Sequence, residues 1–204
     1  MQEERMIFVI DMVNGFVKEG ALADPSILKI VPMIKEIINE KKGVLVEVKE
    51  SHNENSLEFK NFPPHCIKGT KEAETCDELK DVLKDSLKFY KNSTSALFGK
   101  DVLEFILKNY VKEIIITGCC TDICIMNFAI PLKNLFNELG IDTEIIVYKE
   151  AVDTYDASNH KREYFNEITF LLMEQCGIIV KEYEKEKIKL KNNKQKVKEK
   201  NYGK

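Results

Sequence analysis

The stretch EIIITGCCTDICIMNFAI, residues 113 to 130, decides how this chain folds. Its first six residues are a β-branched run with apolar side chains pointing to both faces, the pattern of a strand covered on both sides within a parallel sheet. A glycine and a polar turn follow, and then an apolar helical segment beginning near Ile125, with Thr121 and Asp122 as candidate N-cap residues. Strand, turn and helix in that order are one half of a βαβ unit. Three cysteines, Cys119, Cys120 and Cys124, crowd the turn. Taken by themselves they fit packing, metal ligation, a redox pair or a nucleophile.

Working outward, the same alternation recurs along the chain. MIFVID (6–11), GVLVEV (43–48), EIIVY (144–148) and GIIV (177–180) read as further strands, and LKFY (87–90) as a weaker one. Helical periodicity occupies Pro25 to Glu40, Asp101 to Asn109, Ile125 to Leu139 and about Asn159 to Gln175, with Gly43, Gly140 and Gly177 where helices should stop. This predicts an α/β fold: a doubly wound, mainly parallel sheet with helices on both faces, in three layers. Ligands of such sheets bind at the carboxyl ends of the strands. Asp11, Glu50 and the turn from Gly118 to Cys124 all fall on that edge.

Composition narrows the function. A chain of 204 residues with 44% hydrophobic content can bury a sizeable core, and one domain over 1–181 followed by a Lys-rich tail over 182–204 is expected. The N-terminus does not resemble a signal peptide and no window approaches the roughly 18 apolar residues of a membrane span, so a cytoplasmic protein is expected, with no membrane partner. Six cysteines in that compartment are expected to be free thiols. Residues 181–204 hold ten Lys against four Glu, which leaves the first 180 residues with a charge of −9. An acidic body of this kind is not built to bind nucleic acid.

Between Val48 and Lys91 lies KESHNENSLEFKNFPPHCIKGT (49–70), too long and too polar for a simple connection. It carries His52 and His65 with Glu50 and Glu58. Mixed imidazole and carboxylate donors suit a divalent transition metal, and the Glu50-x-His52 spacing at a strand end puts both side chains on one side. The remaining histidine, His160 in DASNHKREYF, reads as a surface residue at a helix start, outside the site.

Three motifs in order resemble the isochorismatase-like cysteine hydrolases, and among them the nicotinamidases: IDMVNGF at 10–16, YKNSTSALF at 90–98 and TGCCTDICI at 117–125. The resemblance runs from about Met6 to Val180. It implies Asp11, Lys91 and Cys124 as a catalytic triad, with Cys124 the nucleophile. It further implies an oxyanion hole from the backbone N–H groups of Cys120 and Cys124, with a cis peptide between Cys119 and Cys120. FPPHCIKGT is similar to the family's metal loop and implies Glu50, His52, Glu58 and His65 as ligands of a divalent metal, with zinc first and iron or manganese compatible. Phe16 and Phe62 align with ring-stacking positions for the substrate.

The activity so implied is hydrolysis of a small-molecule amide, nicotinamide, to nicotinate and ammonia through a thioester, in pyridine nucleotide metabolism and by a homo-oligomer. Physical chemistry asks the same of the triad: a thiol is mostly protonated at neutral pH and needs a base, a cation or a helix N-terminus to become a nucleophile. The nearest rival is an amidohydrolase of the same fold acting on a carbamoyl or small aliphatic amide, kept open by Val13 and Gly15, which replace more polar residues of the family. A thiol redox or metal-binding protein would leave Asp11 and Lys91 unexplained, and a scaffold would not need the triad at all.

Overall fold

The computed structural model describes residues 4–183, 186–188 and 190. Most of the Lys-rich tail expected over 182–204 therefore lies outside the described residues. Six strands form one sheet: β1 (Arg5–Ile10), β2 (Val44–Glu50), β3 (Leu87–Lys91), β4 (Glu113–Cys119), β5 (Glu144–Asp153) and β6 (Ile179–Lys181). Their order is β3-β2-β1-β4-β5-β6, and every neighbouring pair is parallel. The expected α/β fold is present, including the weakly signalled strand at 87–91.

Two apolar layers sandwich this sheet. Ile7 and Val9 of β1 face one side, where Ile34 and Ile37 of helix α2 (Val31–Lys41) and Leu79 of α3 (Asp77–Lys80) cover them. Met6, Phe8 and Ile10 face the other side. There they meet α4 (Val102–Lys108) through Ile106, α5 (Met126–Leu139) through Phe128 and Leu132, and α6 (Arg162–Gln175) through Met173. A short helix, α1 (Asn14–Val17), follows β1 and is entirely buried. Among the described residues no helix is long and apolar enough to cross a membrane.

Local differences from the expected elements have identifiable causes. The helix expected from Pro25 begins as a 3-10 turn, Pro25–Ile30, and becomes α-helical only at Val31, whose N–H bonds to Leu28. Pro32 has no N–H with which to continue an α-helical ladder back to Leu28. At the far end of α2 the positive φ falls on Lys42 (+38°), not on Gly43; a Cβ on Gly43 would lie 2.7 Å from the Arg5 carbonyl oxygen, so that glycine serves close strand approach. Helix α5 runs through Pro131, and the Asn127 carbonyl, four residues earlier, accepts the Ser95 hydroxyl at 2.6 Å instead.

The chain leaves β1 toward β2 and β3 on one side and returns to β4 on the other, so the strand order reverses between β1 and β4. At such a switch point the loops diverge and open a crevice. Gly118, near the end of β4, has φ +114° and could not carry a side chain, because a Cβ would lie 2.0 Å from the Ile10 carbonyl oxygen. That close contact brings the ends of β1 and β4, and the residues that follow them, together.

Candidate active site

Asp11 follows β1 directly, with φ +54°, and is fully buried. Lys91 ends β3 and Glu50 ends β2, two strands on the same side of β1, so all three side chains reach the carboxyl edge together. Lys91 Nζ lies 2.8 Å from Asp11 Oδ2, 2.7 Å from Glu50 Oε2 and 3.6 Å from Cys124 Sγ, and it donates to the Ser93 carbonyl at 2.9 Å. The second Asp11 oxygen accepts the Glu50 N–H at 2.7 Å, which holds the carboxylate's orientation. Asp11, Glu50 and Cys124 each bring one atom within 4.8 Å of the others.

Cys124 sits in a π-helical turn, Thr121–Ile125, that runs straight into α5. The expected side-chain cap is absent: Cys120 precedes the turn, the Thr121 hydroxyl is buried without a hydrogen-bond partner, and Asp122 turns to His160. The Cys120 carbonyl accepts from Ile123 and Ile125, both at 3.1 Å, and so closes the turn around the thiol. The Cys119–Cys120 peptide is cis. Cys119 itself is packed away, its thiol on the Asp11 carbonyl at 3.3 Å.

Charge in this buried cluster is set by mutual proximity. Burial opposes the Lys91 charge, but Asp11, Cys124 and Glu50 around it outweigh that and hold its pKa well above the ordinary lysine value. Burial pushes the Glu50 carboxyl up to about 8; Asp11 and Glu58 add to the rise while Lys91 opposes it. Cys124 departs from the simple expectation of an activated thiolate. Burial raises its pKa well above the ordinary thiol value; Lys91 opposes that rise, and Asp11 and Glu50 add to it. The resting thiol is therefore protonated, and its proton must leave as it attacks.

Next to this cluster the 49–70 loop brings the two histidines together. His52 Nε2 lies 3.1 Å from His65 Nε2, 3.2 Å from Glu50 Oε1 and 3.2 Å from Glu58 Oε2. His65 Nδ1 faces the Pro63 carbonyl at 2.8 Å, which can only accept, so the proton is on Nδ1. His52 Nδ1 faces Asn92 Oδ1 at 2.9 Å, and that oxygen also accepts the Asn53 N–H. Both Nε2 atoms thus present lone pairs, burial lowers the His52 pKa against taking a second proton, and the facing Glu50 and Glu58 oxygens have no hydrogen-bond donor. Glu50, His52 and His65 bring one acceptor atom each within 4.8 Å of one another, with Glu58 beside His52, a donor set that suits a cation. Ligand bonds of about 2.0–2.2 Å place neighbouring ligand atoms roughly 3.0–3.5 Å apart, as found between His52 Nε2 and His65, Glu50 and Glu58. Asn92, which orients His52, was not anticipated, although it stands directly beside Lys91 in the sequence.

A small pocket lies between the histidine cluster and the thiol, lined by Phe16, Leu22, Phe62, Thr94 and Ile123 as well as Glu50, Glu58, His65, Cys120 and Cys124. Of the residues expected at the site, Phe16, Glu50, Glu58, Phe62, His65, Cys120 and Cys124 line this pocket, and Asp11, Lys91 and His52 adjoin it through their contacts to Glu50 and Cys124. Leu22, Thr94 and Ile123 are walls that were not singled out, although Thr94 and Ile123 stand within the 90–98 and 117–125 motifs. Val13 and Gly15 are outside this lining: Val13 is buried in a bridge with Thr75, and a Cβ on Gly15 would lie 2.5 Å from Cys66 Sγ.

A parallel sheet with a switch-point crevice holding a thiol, a carboxylate and an ammonium is the architecture of an α/β hydrolytic enzyme, and the comparisons specify which. The model of the Isochorismatase domain matches residues 5–173, and the chain belongs to that family. It is an enzyme of the amidohydrolase class, similar to nicotinamidases. Nicotinamidase 1 of Arabidopsis thaliana is 27% identical over 175 residues, covering 76% of this chain and 71% of the relative. The zinc complex of Pyrococcus horikoshii pyrazinamidase superposes with a TM-score of 0.72 at 25% identity, over 88% of this chain and 99% of that one. Bacillus subtilis nicotinamidase PncA shares the fold with a TM-score of 0.73 at 23% identity, over 88% and 99% of the two chains.

Proposed function

We propose that this chain hydrolyses nicotinamide to nicotinate and ammonia through a thioester on Cys124. The observation that carries this reading is a pocket with aromatic walls lined both by the Cys124 thiol and by Glu50, Glu58 and His65 of the histidine–carboxylate cluster. Asp11 takes the thiol proton as sulfur attacks the carboxamide carbon, and Lys91 balances the charge on both sides of that transfer. The C–N bond breaks and the amide nitrogen leaves as ammonia with the proton Asp11 held. Asp11 then takes a proton from water, whose oxygen displaces sulfur to give nicotinate and the free thiol. Backbone N–H groups of Cys120 and Cys124 are the oxyanion donors in this scheme.

Glu50, His52, Glu58 and His65 would hold the divalent metal, zinc first, and a metal so bound supplies a Lewis-acid site for the pyridine nitrogen. Phe16 and Phe62 confine the ring so that the carboxamide meets the thiol. Release of nicotinate would place the enzyme in pyridine nucleotide salvage.

Ammonia release tests the substrate. Nicotinamide should turn over, and benzamide, with the same ring shape but no ring nitrogen, should be slower by about tenfold or more. Equal rates on the two, or faster turnover of a carbamoyl or aliphatic amide, would replace nicotinamide as the substrate and leave the thioester chemistry standing.

A further inference from the structure

His160, expected to lie on the surface, is buried beside the nucleophile turn. Its ring is stacked between Tyr155, 3.8 Å away and inclined by 10°, and Phe165, 3.7 Å away and inclined by 20°. Nδ1 faces the Tyr155 carbonyl at 3.0 Å, and Nε2 faces Asp122 Oδ2 at 2.8 Å. A carbonyl can only accept, so the Nδ1 proton is committed there. The 2.8 Å contact to Asp122 then needs a second proton between imidazole and carboxylate; without it, two lone pairs would face each other in a buried space.

Asp122 stands two residues before Cys124, and Ile123 between them is a wall of the pocket. The Asp122–His160 contact ties this turn to the loop after β5 through Tyr155 and to α6 through Phe165. No cap from Thr121 or Asp122 holds the turn from within. We propose that Asp122 and His160 are a positioning pair: the 2.8 Å hydrogen bond between them pins the Thr121–Ile125 turn and so sets where Cys124 and the Ile123 wall stand.

Three elements bring groups against the His160 ring. Asp122 faces it from the turn and Tyr155 from the loop, where burial first, then Asp122 and Cys120, hold the Tyr155 phenol up and neutral. From α6 the ring receives only Phe165. Arg162 at the helix start turns to Asp24, Asp153 and the Thr154 carbonyl, and Asp156, Lys161 and Glu163 are exposed.

The proposal rests on the amidohydrolase reading for its activity readout, so the test includes two measurements that need no substrate. Nitrogen-15 spectra of the imidazoles, with His160 assigned by its loss in His160→Gln, should show protons on both ring nitrogens at neutral pH. Rates of Cys124 alkylation by iodoacetamide should depart from wild type in His160→Phe and return close to it in His160→Gln, because a Gln amide can donate to Asp122 in place of the imidazole. His160→Phe keeps an aromatic ring but loses the donor, and should cut kcat by about ten- to a hundredfold while His160→Gln restores most of it. A neutral His160 with a bare Nε2 would overturn the proposal, as would a His160→Phe protein alkylated at the wild-type rate. If the spectra and alkylation behave as expected while nicotinamide is not hydrolysed, the substrate reading fails and the positioning pair stands. Should His160→Phe not fold, the spectra and His160→Gln decide the matter.

Discussion

The Nε2 atoms of His52 and His65 face each other across 3.1 Å, each ring having its proton on the opposite nitrogen. In a chain without a cation this is a repulsive contact, and Glu50 and Glu58 make it more so. Protein purified without chelator should therefore contain about one divalent metal per chain, and His52→Ala or His65→Ala should lower its affinity by about a hundredfold or more. Elemental analysis and chelator competition check this. Wild-type protein that neither retains nor takes up metal would remove the ligand set from the account.

Lys91 contacts two buried carboxylates and a thiol at once. Lys91→Met should destabilise the protein by about 3–5 kcal/mol in urea unfolding, because the carboxylates lose their counter-charge. The same variant should slow Cys124 alkylation at neutral pH, since a departing cation raises the thiol pKa further. Unchanged alkylation would take Lys91 out of the nucleophile's environment.

The pKa of Cys124 is raised in the fold, which fixes the sign of a pH effect. Above the ordinary thiol value the unfolded chain has released this proton and the folded chain has not. The folded state then binds more protons, so Cys124 makes stability fall as pH rises beyond about 9. Cys124→Ala should flatten part of that alkaline loss in chemical unfolding measured at several pH values, and should abolish amide hydrolysis without loss of fold. Hydrolysis surviving in Cys124→Ala would mean that another group is the nucleophile.

Gly118 has φ +114° with the Ile10 carbonyl where a Cβ would stand. Gly118→Ala should cost upwards of about 2 kcal/mol, combining backbone strain with separation of β1 from β4. Since Asp11 and Cys124 lie just beyond this contact, kcat should fall with stability. A variant of wild-type stability would show that the strands can part there without penalty.

Tyr183 is buried against Tyr148, with ring centroids 4.9 Å apart at 88°, and its hydroxyl donates to Glu40 at 2.8 Å. Tyr183→Ala should lower stability by about 3–5 kcal/mol, the range for deleting a buried aromatic ring. Thermal unfolding reads the loss, and an unshifted melting temperature would show that this tyrosine contributes no packing to the body of the protein.

Much of this protein could be read in one dimension. The apolar runs at 6–11, 113–118 and 144–148 have no alternative to a sheet covered on both faces, because only burial on both sides rewards such a pattern. A family resemblance carried by three motifs in order pointed to Asp11, Lys91 and Cys124 as candidates, and the 49–70 loop, read with it, to Glu50, His52, Glu58 and His65. Each of these signals is local: a residue type at a strand end, or a spacing within a few turns.

What only the tertiary structure decided are properties that depend on sums over distant neighbours. No spacing rule connects Asp122 to His160, whose surface-like context DASNHKREYF hides a ring stacked between two aromatics. The need for a glycine at 43 follows from how closely Arg5 approaches across β1 and β2, while the positive φ falls on Lys42. The protonated state of Cys124 is the clearest case. Its sequence neighbourhood promises a cation and a base, but the sign of the shift comes from burial and two carboxylates set against one ammonium, and those distances exist only once the strands β1, β2 and β3 lie side by side.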